Sequence, residues 1–511
     1  MHRTSCVRHG RMRIAINSMC LVLVLVLVLT LLPKTCSADN DNLLHGNTTS
    51  SSSSDGGRRS SSPKSPNLIV IMADDMGYGD AGFNGCRDIP TPNLDSIALR
   101  NGIRFTHAYV SSSMCGPSRA GFITGRYQDR FGFTSHPPTK PERVGGVPST
   151  ERTMAEALRE SGVYGSAAMI GKWHLGAHTS SFPLDRGFDY FYGFLAGSSG
   201  YRRGKLMENR RTISVDKYLT DDFTDRAVEY IEERLRAEEK DEGKEKPFFL
   251  FLSYNAPHLP LDAPDRYKVD IPTPEKKKKR RRYTRKLRRA VYAGMVRAMD
   301  DGVGRVLDAV EGGGATDDTI VVFLSDNGGP KNNGSSNKPF RGHKWTMYEG
   351  GLRVPFAMQW PGTIPGGVTY DEAISSLDVM ATMMGINGID QDPNLPLDGV
   401  NLMPYLTGER SGRPHDYLFW KLLREFPRRA ASSKKSMAVQ GGEHKLLTRP
   451  GDADDPQDMW GYEMYDIIAD EGERNDMMKS EEFGRQTERI ERDLHAAWDE
   501  WNAETKTCWW K

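Results

Sequence analysis

The chain has 511 residues, long enough to bury a large core and to carry a second, smaller lobe. Its 69 Lys and Arg nearly cancel 68 Asp and Glu, leaving a net charge of +1, so no global field directs it to nucleic acid or to an anionic membrane surface. Anion recognition must therefore be local, and six cysteines are too few for a dense disulfide framework.

At the N-terminus, Arg3, Arg8, Arg11 and Arg13 precede the apolar run Leu21 to Leu32, and small residues follow in "TCSA". This is the pattern of an export leader, residues 1–38, cut near Ala38 and implying a secreted or periplasmic protein. The run is short for a stable membrane span, a retained anchor being the alternative, and "LPKTC" lacks the small residues expected before a lipidated cysteine. Cleavage removes Cys6, Cys20 and Cys36. Cys86 and Cys508 are then candidates to pair, and Cys115 needs its own explanation. Residues 39–66 are Ser-rich and read as a flexible linker. Asn47 and Asn333 lie in glycosylation sequons that matter only in a host that glycosylates.

Order is expected from Asn67. Four apolar runs, "NLIVIMADD" from 67, "GSAAMIGKWHLG" from 165, "PFFLFLSYNAPH" from 247 and "TIVVFLSDNGG" from 319, have the unbroken hydrophobicity of strands buried on both faces. Helical patterns fall between them at 91–102, 153–162, 224–240 and 290–311, the first two ending in "NG" and "SG" stops that suggest C-caps. The alternation predicts an α/β domain over 67–400, a mostly parallel sheet sandwiched by helices. Residues 401–511 read as a smaller α+β lobe, with a short antiparallel sheet and a closing helix near 484–501.

Ligands of open parallel sheets bind beyond the carboxyl ends of the strands. The four runs finish in Asp74 and Asp75, in Lys172 and His174, in His258, and in Asp326 and Asn327. The acids and the amide offer only hard oxygens, which suit Ca²⁺ or Mg²⁺ better than zinc; the bland alternative is that each Asp caps the turn after it. Trp173 and Trp345 beside Lys172 and Lys344 could stack on a sugar ring, with packing the default. The basic run 276–289 reads either as a solvated helix lead-in or as a hold on an anionic polymer.

"CGPSRAGFITGR" (115–126) resembles the signature of type I sulfatases, a Cys-x-Pro-x-Arg core whose cysteine a maturation enzyme oxidises to formylglycine. The resemblance extends through "IMADDMGYGD" (71–80), "GKWHLG" (171–176), "APH" (256–258), "SDNGG" (325–329), "KWTMYEGGLRVP" (344–355) and "EMYDIIADEGERND" (463–476). It implies an alkaline-phosphatase-like fold, and one Ca²⁺ held by Asp74, Asp75, Asp326 and Asn327 with the modified Cys115. Arg119, Lys172, His174, His258 and Lys344 would line the sulfate pocket. A formylglycine hydrate would attack sulfur, His258 (or Lys344) would protonate the leaving alcohol, and a second hydroxyl, deprotonated by His174, would expel sulfate. "GYGDAGFNGCRDIPTPNLD" (77–95) and "GRYQDRFGF" (125–133) look most like the arylsulfatase B and N-acetylgalactosamine-6-sulfatase branch, whose substrates are sulfated polysaccharides. The alternatives are a phosphatase or phosphonate hydrolase on the related sheet, a non-catalytic binder of sulfated glycans, and an unconverted, silent precursor.

Overall fold

In the computed structural model, the four apolar runs are strands lying side by side. The described residues are 65–510 without 203, 241–245, 272–279, 425–433, 449–460 and 481–483, and without the side chains of 237–240, 280–283, 285, 423, 424, 434 and 435. The expected leader and all but the end of the Ser-rich linker lie outside them.

In chain order the strands are β1 (Asn67–Ala73), β2 (Gly102–Phe105), β3 (Ala108–Tyr109), β4 (Ser166–Lys172), β5 (Tyr190–Phe194), β6 (Gly204–Glu208), β7 (Arg211–Val215), β8 (Phe248–Ser253), β9 (Thr319–Ser325), β10 (Phe356–Gln359), β11 (Val368–Tyr370), β12 (Ile374–Ser375), β13 (Tyr417–Arg424), β14 (Lys434–Gly441), β15 (His444–Thr448) and β16 (Tyr462–Asp466). The helices are α1 (Pro92–Leu99), α2 (Cys115–Thr124), α3 (Met154–Glu160), α4 (Leu219–Lys240), α5 (Arg280–Gly312), α6 (Glu349–Leu352), α7 (Asp378–Ile386), α8 (Met403–Leu406) and α9 (Arg485–Ala503).

Ten strands form the main sheet in the order β11-β2-β10-β9-β1-β8-β4-β5-β6-β7. The block β9-β1-β8-β4-β5 is parallel, and antiparallel β10 and β6 flank it. Val70 sits level with Phe251 on one side and Val322 on the other. Alternate residues of β1 feed two cores, as a two-faced strand must. Ile69 and Ile71 pack with Phe223 and Ile231 of α4 and Met295 and Met299 of α5. Leu68, Val70 and Met72 pack with Phe122 of α2, Leu158 of α3 and Met380 of α7.

Several helix ends differ from the sequence reading. α5 begins at Arg280, ten residues before the expected 290, because Lys and Arg are good helix formers and part of the basic run simply extends the helix. α4 begins at Leu219 with Asp221 and Asp222 in its first turn, where acids complement the helix dipole. Gly162 follows α3 with φ +71°, as the "SG" stop predicts. The "NG" stop does not cap α1, which ends at Leu99 with Arg100 as its cap; Gly102 instead opens β2, where a Cβ would stand 2.1 Å from the Met358 carbonyl oxygen.

The small sheet β13-β14-β15-β16 is antiparallel throughout. One face receives Leu494, Trp498 and Trp501 from α9. From the other, Leu418, Trp420 and Leu422 pack on Tyr109, Met114, Met347 and Leu352, and so press on the segment after Lys344. Cys86 and Cys508 are not paired: each is free, Cys86 donating to Asp88 and Cys508 facing Ser135. Asn333 is fully buried, its Oδ1 accepting from the Ser335 amide, so this sequon presents no side chain for a glycan. Among the described residues no helix is long and apolar enough to cross a membrane.

Candidate active site

Because β9, β1, β8 and β4 are neighbours, their carboxyl ends deliver Asp326 and Asn327, Asp74 and Asp75, Ser253, and Lys172 to one place. α2 runs in from beside the sheet with Cys115 as its first residue and Pro117 in its first turn, where a missing N–H costs nothing. Arg119 follows Cys115 by four positions and so projects on the same side of the helix. All ten residues of α2 are buried.

The groups meet at hydrogen-bonding distance. Lys344 Nζ donates to Cys115 Sγ at 2.8 Å and to Asp75 Oδ1 at 2.6 Å. Lys172 Nζ donates to Asp74 Oδ2 at 2.6 Å. Arg119 donates from Nε to Asp326 Oδ2 at 2.8 Å and from Nη1 to the Lys172 carbonyl at 3.1 Å and to Ser253 Oγ at 2.6 Å. Asn327 Nδ2 donates to Asp75 Oδ1 at 2.7 Å, and the Asp75 amide donates to Asp326 Oδ1 at 3.1 Å. His258 Nε2 lies 3.6 Å from Asp75 Oδ2, while its Nδ1 is 2.6 Å from the Leu259 carbonyl, which makes Nδ1 the protonated nitrogen and leaves Nε2 facing the site. Thus every expected site residue except His174 is linked directly to this cluster. The four oxygen-bearing residues bond across elements, which rules out simple turn capping.

His174 stands beside the cluster. It has φ +59°, is 5% exposed, and its Nδ1 has no hydrogen-bond partner. One ring face meets the backbone of Gly197, where a Cβ would come within 2.6 Å of Nε2. His136 stacks on the imidazole at 4.8 Å between centroids.

Burial and mutual charge set the protonation states. Burial opposes ionisation of Asp326, but Arg119, Lys172 and Lys344 outweigh it and hold the carboxyl well below the usual range. Burial pushes Asp74 up, with Lys172 and His258 pulling against it. Burial also pushes the Cys115 thiol up to about 12 despite Lys172 and Lys344, so at neutral pH the unmodified side chain is a thiol and a poor nucleophile. His174 is held well below its ordinary value by burial and then by Lys172 and His136.

The donor set fits a hard divalent cation. Asp74 Oδ1 and Asn327 Oδ1 are buried without any hydrogen-bond partner, beside the carboxylates of Asp75 and Asp326. Ligand atoms of Asp74, Asp75, Cys115 and His258 lie within 4.8 Å of one another. Three carboxylates face the cations Arg119, Lys172 and Lys344, so a divalent ion would make the site net positive and receptive to an anion.

A family model described as Sulfatase matches residues 66–389. The chain belongs to the sulfatase family. The sulfatase is therefore a sulfuric ester hydrolase, and residues 342–500 also match the model "N-sulphoglucosamine sulphohydrolase, C-terminal". It is 33% identical over 411 residues to "Uncharacterized sulfatase YdeN" of Escherichia coli (strain K12), covering 70% of this chain and 68% of that one. It is 32% identical over 386 residues to N-acetylgalactosamine-6-sulfatase of Mus musculus, covering 70% and 69%. Among solved structures, Ps i-CgsB in complex with k-i-k-neocarrahexaose superposes with a TM-score of 0.75 at 31% identity, over 87% of this chain and 94% of that one.

Sequence reasoning missed two residues of the sulfatase's site. Ser253 ends β8 and could have been found by the strand-end argument that found Asp74 and Lys172. His136 lies in a loop far from any strand end, in "TSHPP", and nothing in that pattern announces it. Of the two tryptophans, Trp173 is a packing residue, 1% exposed with Nε1 donating to the Ser181 carbonyl. Trp345 is only partly buried and meets His136 edge to face.

Proposed function

We propose that this sulfatase is exported and hydrolyses sulfate esters on a sulfated polysaccharide, using formylglycine made from Cys115 by a maturation enzyme, with one Ca²⁺. The observation that carries the reading is the Lys344 ammonium, bonded at once to Cys115 Sγ and to Asp75, which joins a modifiable side chain, a cation ligand and an anion-binding group. Asp74, Asp75, Asp326 and Asn327 would hold the ion with residue 115. When bound, the cation supplies Lewis acidity beside an aldehyde hydrate at position 115, which an alkyl thiol cannot replace.

The chain's own groups do the rest. Lys172, Lys344 and Arg119 form a cationic, water-poor lining for the sulfate oxygens, where preorganised donors act most strongly on developing charge. Arg119 is tied to Asp326, Ser253 and the Lys172 carbonyl, and so serves first to lock the cation ligands in place. His258, with Nδ1 anchored on the Leu259 carbonyl, turns Nε2 toward the site, and with both ring nitrogens protonated Nε2 would be the proton donor to the leaving alcohol. His174, held neutral by burial, can take a proton from residue 115.

For substrate, the relatives' names support a sulfated sugar: N-acetylgalactosamine-6-sulfatase is named for one such unit, and Ps i-CgsB is solved with k-i-k-neocarrahexaose. The test is a sulfate-release assay on a carrageenan hexasaccharide and on 6-sulfated N-acetylgalactosamine. It uses protein secreted by its own host, with mass analysis of the Cys115 peptide and sequencing of the mature N-terminus. Release with an aldehyde at residue 115 is expected, abolished by chelation and restored by Ca²⁺. Full activity with an unmodified thiol, or after exhaustive chelation, would overturn the mechanism, and an uncut leader would overturn export.

A further inference from the structure

Above the cluster, one exposed side chain has a position the reaction chemistry does not account for. The ring of His136 stacks on His174 at 4.8 Å with 22° between planes, and meets Trp345 at 5.6 Å and 90°. Trp345 adjoins Lys344, whose Nζ lies 5.8 Å from the indole centroid. On its third side the loop closes on Gly116, the residue after Cys115. A Cβ there would stand 3.2 Å from His136 Nδ1, 3.4 Å from Phe133 and 3.5 Å from Pro137. His136 itself is exposed, and among the described residues its ring has no hydrogen-bond partner.

This placement is built rather than incidental, because the C-terminal tail braces the loop that carries it. The Lys506 amide donates to the Asp129 carbonyl at 2.7 Å, Cys508 Sγ lies 3.6 Å from Ser135 Oγ, and Trp510 packs edge-on to Phe133 at 4.8 Å. Gly132, with φ +74°, leaves room for this: a Cβ would fall 2.3 Å from the Thr507 carbonyl oxygen. Behind the tail, Lys421 Nζ donates to Asn502 Oδ1 at 2.7 Å and to Thr505 Oγ1 at 2.6 Å, and Arg130 pairs with Glu504.

We propose that His136, with Trp345, is the wall on which the sugar ring bearing the sulfate rests, held in register by residues 505–510 of the tail. The chemistry suits a pyranose, whose C–H face packs on aromatic surface while a ring nitrogen exchanges a hydrogen bond with a hydroxyl. The inference rests on the sugar-sulfatase reading above and adds a specificity residue to it.

The experiment compares the full-length wild type with His136→Ala and Trp510→Ala, using the carrageenan hexasaccharide and 4-nitrophenyl sulfate as substrates and inorganic sulfate as inhibitor. His136→Ala should raise KM for the hexasaccharide about tenfold, the value of one lost stacking and hydrogen-bonding contact, with kcat and the sulfate inhibition constant close to wild type. Trp510→Ala should move KM in the same direction, by about threefold. An unchanged KM in His136→Ala overturns the inference, as does a KM that rises only in step with the sulfate inhibition constant, which would mark a structural role. An unchanged KM in Trp510→Ala overturns the part assigned to the tail. A wild type that cleaves 4-nitrophenyl sulfate but no sulfated sugar would overturn the sugar reading, and this inference with it.

Discussion

Replacing Lys445 by Met should destabilise the protein by ~3–5 kcal/mol, and by more at pH 8 than at pH 6. Lys445 lies in β15, fully buried, with Nζ 2.7 Å from Glu349 Oε1 and 3.1 Å from Glu473 Oε1. Glu349 retains two other partners, the Tyr109 hydroxyl at 2.8 Å and Arg353 at 3.4 Å, whereas the only other bond to the Glu473 carboxylate among the described residues is the Glu349 amide at 2.7 Å. The ~3–5 kcal/mol is the cost of leaving a buried charge uncompensated, not the net value of the ion pair.

The pH dependence follows from Glu473. Burial pushes its carboxyl up to about 7 against the pull of Lys445. Between the ordinary value of 4.5 and about 7, the folded state therefore holds more protons than the unfolded state, and stability falls as pH rises through that window. Without Lys445 the folded value climbs further and the loss continues above 7, so the deficit against wild type widens from pH 6 to pH 8. Unfolding entropy of about 2.1 cal/mol/K per residue comes to nearly 1 kcal/mol/K for the folded part of this chain, so Tm should drop by roughly 3–5 °C. The assay is thermal unfolding followed by tryptophan fluorescence, for which Trp420 is well placed with Lys445 Nζ 5.7 Å from its ring. Lys445→Met with Glu473→Gln should recover part of the loss. A drop below about 1 °C at both pH values, or equal drops at the two, would refute the reasoning.

Three further outcomes are expected. Cys115→Ser should take up one sulfate and then stop, detected as the mass of one added SO₃ on the residue 115 peptide; repeated turnover by the pure variant would sink the hydrate mechanism. Lys344→Ala should lower turnover by about 10²–10³-fold, the scale for one donor to a developing anion, while Tm moves far less than in Lys445→Met; parallel collapse of folding and activity would assign Lys344 a structural role. Asp129 is buried, and burial pushes its carboxyl up to about 7, so its ionisation costs stability as pH rises from about 4 to 7. Asp129→Asn should therefore gain stability above pH 7, by at most ~4 kcal/mol, and the gain should vanish near pH 4; a pH-independent difference would contradict this.

The main sheet was legible because its central strands carry apolar side chains on both faces, a pattern a solvent-exposed segment cannot afford. β1, β4, β8 and β9 were each visible as such runs, and the polar residues at their ends followed from the same observation. Less legible were features set by partners distant in the chain. Gly102 looked like a helix stop, yet its need for glycine comes from β10, more than two hundred residues later. Cys86 and Cys508 looked pairable by count alone, whereas each lies against a different polar neighbour.

By itself, then, the sequence determined the class of sheet and the residue types gathered at the strand ends, because each depends on local periodicity or on a short run of neighbours; the helix α2 that begins at Cys115 was not among the helices it announced. Only the tertiary structure could show that β9, β1, β8 and β4 are adjacent, that Lys344 closes on Cys115 and Asp75, and that Trp510 packs on Phe133 in the loop that carries His136. Strand order, the approach of a lysine more than two hundred residues away, and the docking of a tail depend on how separate hydrophobic faces pack together, and no local pattern of residues encodes that packing.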